Sequence, residues 1–407
     1  MTTADGSLID IAKITVVASS TGPAMAYTIE QSLSQVAQET TIAYDGLAFI
    51  TGNQCSDSFL PPGKVADFFG FHHLRDNTAN GMGHNTDFVT KSANNVLYIL
   101  DEVQKAEILS LSLIQGSLID QFALERLPLM NAMRQGLDGS VALDEDAVVA
   151  YGVQLQQDDA VISIQRSKLF GMIIRSLTEQ QTAYLDAMVR DGFELWPSLE
   201  DQIDKTTMSH NQHVLVMTFV SEMFGWYAGT IEADTYFALE RQANYFGSFY
   251  MKDAPAMGNE NYTIDETITG NKGAEFLNVL TDTQRGLITE IVDLQYDNLL
   301  DIVEVRREIS TELRKFLVQD AIDEDKVMAL SATYGALDAH NSYLYATGFA
   351  AVNQDLTEQQ HAELMDLRDL ADYPCDDADI YLYSEKYPLS TVDSMIDITG
   401  TAASLVY

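Results

Sequence analysis

The chain is poor in basic residues, cysteine and proline. It has 23 Lys and Arg against 61 Asp and Glu in 407 residues, a formal net charge of −38. A surface field of that sign repels nucleic acid and anionic membranes, and it suits a well-solvated surface or one that collects cations. Apolar runs fall short of the roughly 20 residues that a membrane helix requires, so no membrane span is expected. The opening MTTADGSLID has neither a basic n-region nor an apolar h-region, so no secretory leader is visible in it; the expectation is either a cytosolic protein or a processed or engineered start. The two cysteines, Cys55 in GNQCSDS and Cys375 in DYPCDDAD, both lie in polar text. They are read either as one disulfide tying the first part of the chain to the last or as two thiols. There is no CxxC and no Cys/His cluster, which speaks against zinc. GxSxG, HExxH and GxxxxGK[ST] are missing as well, and no catalytic residue is nominated.

What is present is internal repetition. LTEQQ occurs at 177–181 and again at 356–360. Aligned on it, LDEVQ (100–104) falls opposite LTDTQ (280–284), and Arg126 and Arg134 fall opposite Arg306 and Arg314. DEDAV (144–148) falls opposite DEDKV (323–327), and ADFFGFHHLRD (66–76) opposite ANYFGSFYMKD (243–253). Such a series at nearly constant offset predicts a tandem duplication, with copies at 30–200 and 209–375 between end segments 1–29 and 376–407.

Each copy reads as a long-helix hairpin or bundle. Leu287, Ile291, Leu294, Ile302, Val305, Ile309, Leu313 and Phe316 recur at helical steps, predicting one amphipathic helix from Gln284 to Leu317. Its counterpart, 104–135, places Ile108, Leu111, Ile114, Leu118, Phe122 and Met133 on the core stripe, with a kink or break expected at Pro128. Asp144 and Asp323 are predicted N-caps, and Thr178 and Thr357 are predicted capping boxes with Gln181 and Gln360. The end segments differ: IDIAKITVVAS (9–19), DIYLYSE (379–385) and VDSMIDIT (392–399) read as strands. The fold class expected is therefore mainly α, two tandem helical units with short β-strands at both termini.

LTDTQRGLITEIVDLQ (280–295), the acid-rich DAIDEDKV (320–327) and DLTEQQHAEL (355–364) resemble the motifs of the Spy/CpxP, or LTXXQ, family. The resemblance covers about 90 residues of each copy. It implies periplasmic, all-helical, ATP-independent chaperones working as a cradle. Two departures stand out: the family's client surface is basic, and Asp101 stands where the motif has Thr.

One stretch points to a metal. DNTANGMGHNTD (76–87) has the length and rhythm of a calcium loop, with Asp76, Thr78, Asn80, the Met82 carbonyl, His84 and Asp87 at the ligand places and Gly81 at the turn. With only two carboxylates, binding of order 10⁻⁴ to 10⁻³ M is expected, as in extracellular modules. A polar turn between helices is the alternative. His210 and His213, three apart beside Met208 and Met217, are a second metal candidate, for a soft ion, against an ordinary structural role. Phe68-Phe69, Trp226-Tyr227 and Tyr245-Phe246 read as core packing.

Two functions follow as expectations. One is an exported, non-enzymatic, acidic cradle that holds protein partners and is stabilised by calcium. The other is a structural subunit, self-associating through its terminal strands into an extracellular filament or layer.

Overall fold

The computed structural model describes residues 26–27, 29–52, 67–69, 86–229, 237–238, 271–368, 379–382 and 385–388. These residues are mainly helical. In chain order the helices are α1 (Ile29–Ser32), α2 (Gln35–Thr51), α3 (Thr86–Ile99), α4 (Glu102–Leu137), α5 (Glu145–Ser176), α6 (Glu179–Asp191), α7 (His210–Ala228), α8 (Lys272–Val279), α9 (Asp282–Arg314), α10 (Glu324–Asp355) and α11 (Glu358–Arg368). Two short antiparallel ladders accompany them: β1 (Ala26–Tyr27) with β2 (Phe237–Ala238), and β3 (Asp379–Leu382) with β4 (Glu385–Pro388). Tyr381 lies opposite Lys386 in the second ladder. The segments 9–19 and 392–399, read as strands from sequence, lie outside the described residues.

The helix starts are set by side-chain caps. Asp144 accepts from the Ala147 amide and Asp323 from the Lys326 amide, each satisfying a donor that the first turn leaves over. Thr178, Thr281 and Thr357 each form a reciprocal box with the glutamine three residues on. Asp101 does the same with Gln104, so the aspartate that departs from the LTXXQ pattern performs the threonine's task. These caps repeat along the chain: α5 begins at Glu145 and α10 at Glu324, 179 residues later, and α6 begins at Glu179 and α11 at Glu358, again 179.

α4 runs through Pro128 as one helix, so of the kink or break expected there a break is ruled out. Pro128 has no N–H to give the Leu124 carbonyl and crowds the turn before it. In that turn the Tyr151 hydroxyl of α5 donates to the Glu125 carbonyl, and the flanking Phe122, Leu129 and Met133 are buried. Packing from the neighbouring helix holds a helix that local sequence would interrupt.

The helices pack as two bundles that exchange an element. α3, α4, α5 and α6 pack with α7, while α8, α9, α10 and α11 pack with α2. Each of α2 and α7 thus lies with the long helices of the other stretch of sequence, not with its own. The bundles join chiefly where α5 meets α10, with α4 also against α10 and α5 against α9. Gly152 and Gly335 allow this approach: a Cβ on Gly335 would sit 2.5 Å from the Gly152 carbonyl oxygen, and one on Gly152 would collide with Ala339. A single apolar core runs through both bundles. Phe69 packs edge-on against Phe170 at 5.3 Å and against Trp226 at 5.9 Å, so these aromatics are core, as expected. Tyr245-Phe246 lies outside the described residues.

Candidate functional site

In the middle of each bundle the helical pattern is violated in the same way. Periodicity places Ile114 and Leu294 in the core, yet they are 54% and 55% exposed. The neighbouring glutamines, Gln115 and Gln295, take the interior place and are wholly buried. The reason lies on the facing helices, which bring polar partners that only a polar side chain can satisfy. The Gln115 Oε1 accepts from the Arg166 Nε at 3.0 Å, and its Nε2 donates to the Ile162 carbonyl at 2.9 Å. Gln295 Oε1 accepts from the Tyr345 hydroxyl at 2.6 Å, and its Nε2 donates to Gln38 Oε1 at 2.6 Å. Arg166 and Tyr345 are themselves 179 residues apart.

Each exchanged helix brings one buried carboxyl to this polar layer. α7 brings Glu222, whose two oxygens accept from Arg166 Nη1 at 2.9 and 3.2 Å with both side chains fully buried. The guanidinium also lies over the Phe219 ring, 4.3 Å from its centroid. The charges cancel within the pair, which is what makes burying them tolerable. α2 brings Asp45, which is completely buried beside Tyr345 and raises that hydroxyl's pKa further above the value burial alone would set. Burial also pushes the Asp45 carboxyl well above the usual carboxylate range. Next to it on α2, the Tyr44 hydroxyl accepts from Arg368 Nη1 at 2.9 Å.

The expected sites fall as follows. Asp76, Thr78, Asn80, Met82 and His84 of the calcium loop lie outside the described residues, and Asp87 falls in the first turn of α3. Cys55 and Cys375 also lie outside them. His210 and His213 occupy the first turn of α7, where burial and then the nearby Lys205 hold the His213 pKa below its usual value. Met217, one of the two methionines expected beside them, is turned into the core. Among the described residues no three His, Cys, Asp or Glu side chains are grouped to hold a metal ion.

Sequence reading missed Gln115, Arg166, Glu222, Gln295, Tyr345 and Asp45. The signal available was a single charge or amide set into an apolar run, as in IAYDGLAFI and FVSEMFGW.

The outward side of α4 carries the complement of this polar interior. Val103, Leu113, Ile114 and Leu124 are all exposed. At about 100° per residue they share a sector about 100° wide, and they span about 31 Å of helix. On α5, Val161 and Met172 are exposed at the same eleven-residue step, and α9 exposes Leu294, Tyr296 and Leu300. No described helix is long and apolar enough to cross a membrane. No protein-family model matches the sequence, and neither a curated protein nor a solved structure matches it.

Proposed function

We propose that the chain is a non-enzymatic binding protein, in which two helical units derived by tandem duplication hold segments of partner proteins along the outer faces of their long helices. The observation that carries this reading is the row of exposed aliphatic side chains on α4, set in a protein of net charge −38. Apolar side chains exposed on one shared helix face offer a surface on which an apolar segment can be buried. The acidity selects what binds: partner segments that are both apolar and positively charged. The repeated cap positions and the reciprocal placing of α2 and α7 support the duplication. The LTXXQ resemblance supports a Spy-like cradle working in the periplasm or outside the cell, and the ligand rhythm of DNTANGMGHNTD supports calcium in the 76–87 loop as a stabiliser.

A second reading is favoured by β3 and β4. Among the described residues β3 and β4 pair only with each other, and an edge left unpaired can accept a strand from another chain. On this reading the protein is a subunit of an extracellular filament or layer.

One pair of measurements separates the two. Particle mass by light scattering is recorded in millimolar calcium and in chelator, and suppression of aggregation is assayed with a basic unfolded client. A monomer or dimer that protects the client supports the binding protein. Large calcium-dependent polymers support the filament, and small particles without protection sink both.

A further inference from the structure

We propose that Asp45 and Thr41 of α2 form an internal site for one small monovalent cation, which stands in the second bundle where the Arg166 guanidinium stands in the first. Both Asp45 carboxylate oxygens and the Thr41 hydroxyl are buried and meet no hydrogen-bond partner among the described residues. Thr41 and Asp45 lie one turn apart, so their oxygens share a face of α2. Gln38 is on that face too, and its Oε1 is held by Gln295. The Tyr345 hydroxyl donates to Gln295, which leaves its oxygen lone pairs directed elsewhere in the same layer.

The comparison between the bundles supplies the argument from charge. Glu222 is neutralised by Arg166 across a bidentate contact. The residue 179 positions after Arg166 is Tyr345, which brings a hydroxyl and no charge. Among the described residues no cationic side chain hydrogen-bonds Asp45, and Arg368 donates instead to the neighbouring Tyr44 hydroxyl. An ionised carboxylate buried alone is strongly disfavoured; it is relieved either by taking up a proton or by a compensating charge, and the unpartnered oxygens of Asp45 and Thr41 on one helix face point to the second. The donors are hard oxygens, which suit alkali ions. A single formal negative charge matches a monovalent ion, whereas a divalent ion would leave a buried positive charge. The chain's overall acidity raises the local concentration of such ions.

The test uses the full chain at pH 8 with chelator, in sodium, potassium or choline chloride at equal ionic strength. Choline screens surface charge, but its methylated nitrogen cannot be coordinated by oxygens as a bare alkali ion is. The thermal midpoint is expected to be higher in one alkali salt than in choline by roughly 2–4 °C. Asp45→Asn should abolish that difference, and Thr41→Val should reduce it while leaving the carboxylate in place. Equal midpoints in all three salts would overturn the site and leave Asp45 as a neutral carboxylic acid. An undiminished alkali response in Asp45→Asn would equally overturn it, placing the ion elsewhere. If Asp45→Asn does not fold, an unchanged response in Thr41→Val has the same meaning.

Discussion

Gln181 donates from Nε2 to Gln104 Oε1 at 2.8 Å, joining the capping box of α6 to that of α4. The same bond, also 2.8 Å, runs from Gln360 to Gln284 between α11 and α9. Each donating glutamine reaches a second acceptor, the Ile99 carbonyl for Gln181 and the Val279 carbonyl for Gln360. The glutamine of the LTXXQ pattern therefore closes its own helix start and fastens it to the neighbouring one. That double task explains why the motif occurs in pairs.

Gln181→Ala is expected to lose the box and the inter-helix bond together. The cost should be about 1–2 kcal/mol, above that of a lone cap. Gln181→Ala combined with Gln104→Ala should cost less than the two singles added, because both remove the shared bond. Denaturant unfolding of the four proteins of this cycle measures it, and strict additivity would show that the bond contributes nothing.

The Arg166–Glu222 pair makes a sharper prediction. Removing one partner strands a charge in the core, so Glu222→Ala should destabilise by about 3–5 kcal/mol. Replacing both, as in Arg166→Met with Glu222→Leu, removes the stranded charge and should recover a large part of the loss. Gln115 then loses the Arg166 donor at its Oε1, so recovery should be incomplete. A double variant no more stable than Glu222→Ala would show that packing, not charge, dominates there.

Asp158 predicts a dependence on pH. Burial, aided by the nearby Glu125 carboxyl, pushes Asp158 up to about 7. In the unfolded chain the group returns to about 3.9. The native state thus binds the proton more tightly, so this contribution to stability is fully present below about pH 4 and is lost as pH rises through 7. Asp158 is only half-buried, so solvent moderates the effect. The chain's other acids also repel one another as pH rises, which makes the comparison with Asp158→Asn the informative one. The thermal midpoint of the variant should fall less than that of the parent between pH 5 and pH 8; equal falls would remove Asp158 from the account.

The exposed row on α4 gives the prediction for binding. Leu113→Ser with Ile114→Ser changes two side chains that contribute little to the core, so stability should move by about 0.5 kcal/mol per site or less. Protection of a basic unfolded client should be lost. Intact protection in a folded variant would move the binding surface away from α4.

What could be read in the sequence was local. Asp144, Asp323, Thr178 and Thr357 announce helix starts because a cap works through residues within one turn, and those caps stand where they were expected. The long helix from Gln284 onward was legible because its apolar positions keep the helical period, Leu294 alone among them standing exposed, and it ends in the tight turn Lys315–Leu317. Ile114 and Leu294 misled for the converse reason: an apolar residue beside a glutamine reads as core, and only the facing Arg166 or Tyr345 decides which goes inside. Pro128 misled because the helix is held by α5, which is remote in sequence. The partners of α2 and α7 were illegible, since amphipathic helices declare a face and not a neighbour.

That exchange makes the last prediction. Cutting the chain by its repeats gives a fragment 30–200, which holds α2 but lacks α7. Cutting it by its packing gives 86–229, which holds α3 through α7 and includes the Arg166–Glu222 pair. The first fragment leaves the apolar face of α2 without the helices that bury Phe49 and Leu47, and it leaves Arg166 without Glu222. The second keeps every helix of its bundle and loses the contacts of α5 with α9, α10 and the turn Lys315–Leu317, that of α4 with α10, and that of α7 with Phe69. Fragment 86–229 should therefore be helical with one cooperative thermal transition, whereas 30–200 should unfold without a clear transition or aggregate. If 30–200 melts cooperatively and 86–229 does not, α2 belongs with its own stretch of sequence, and the exchange between the bundles is wrong.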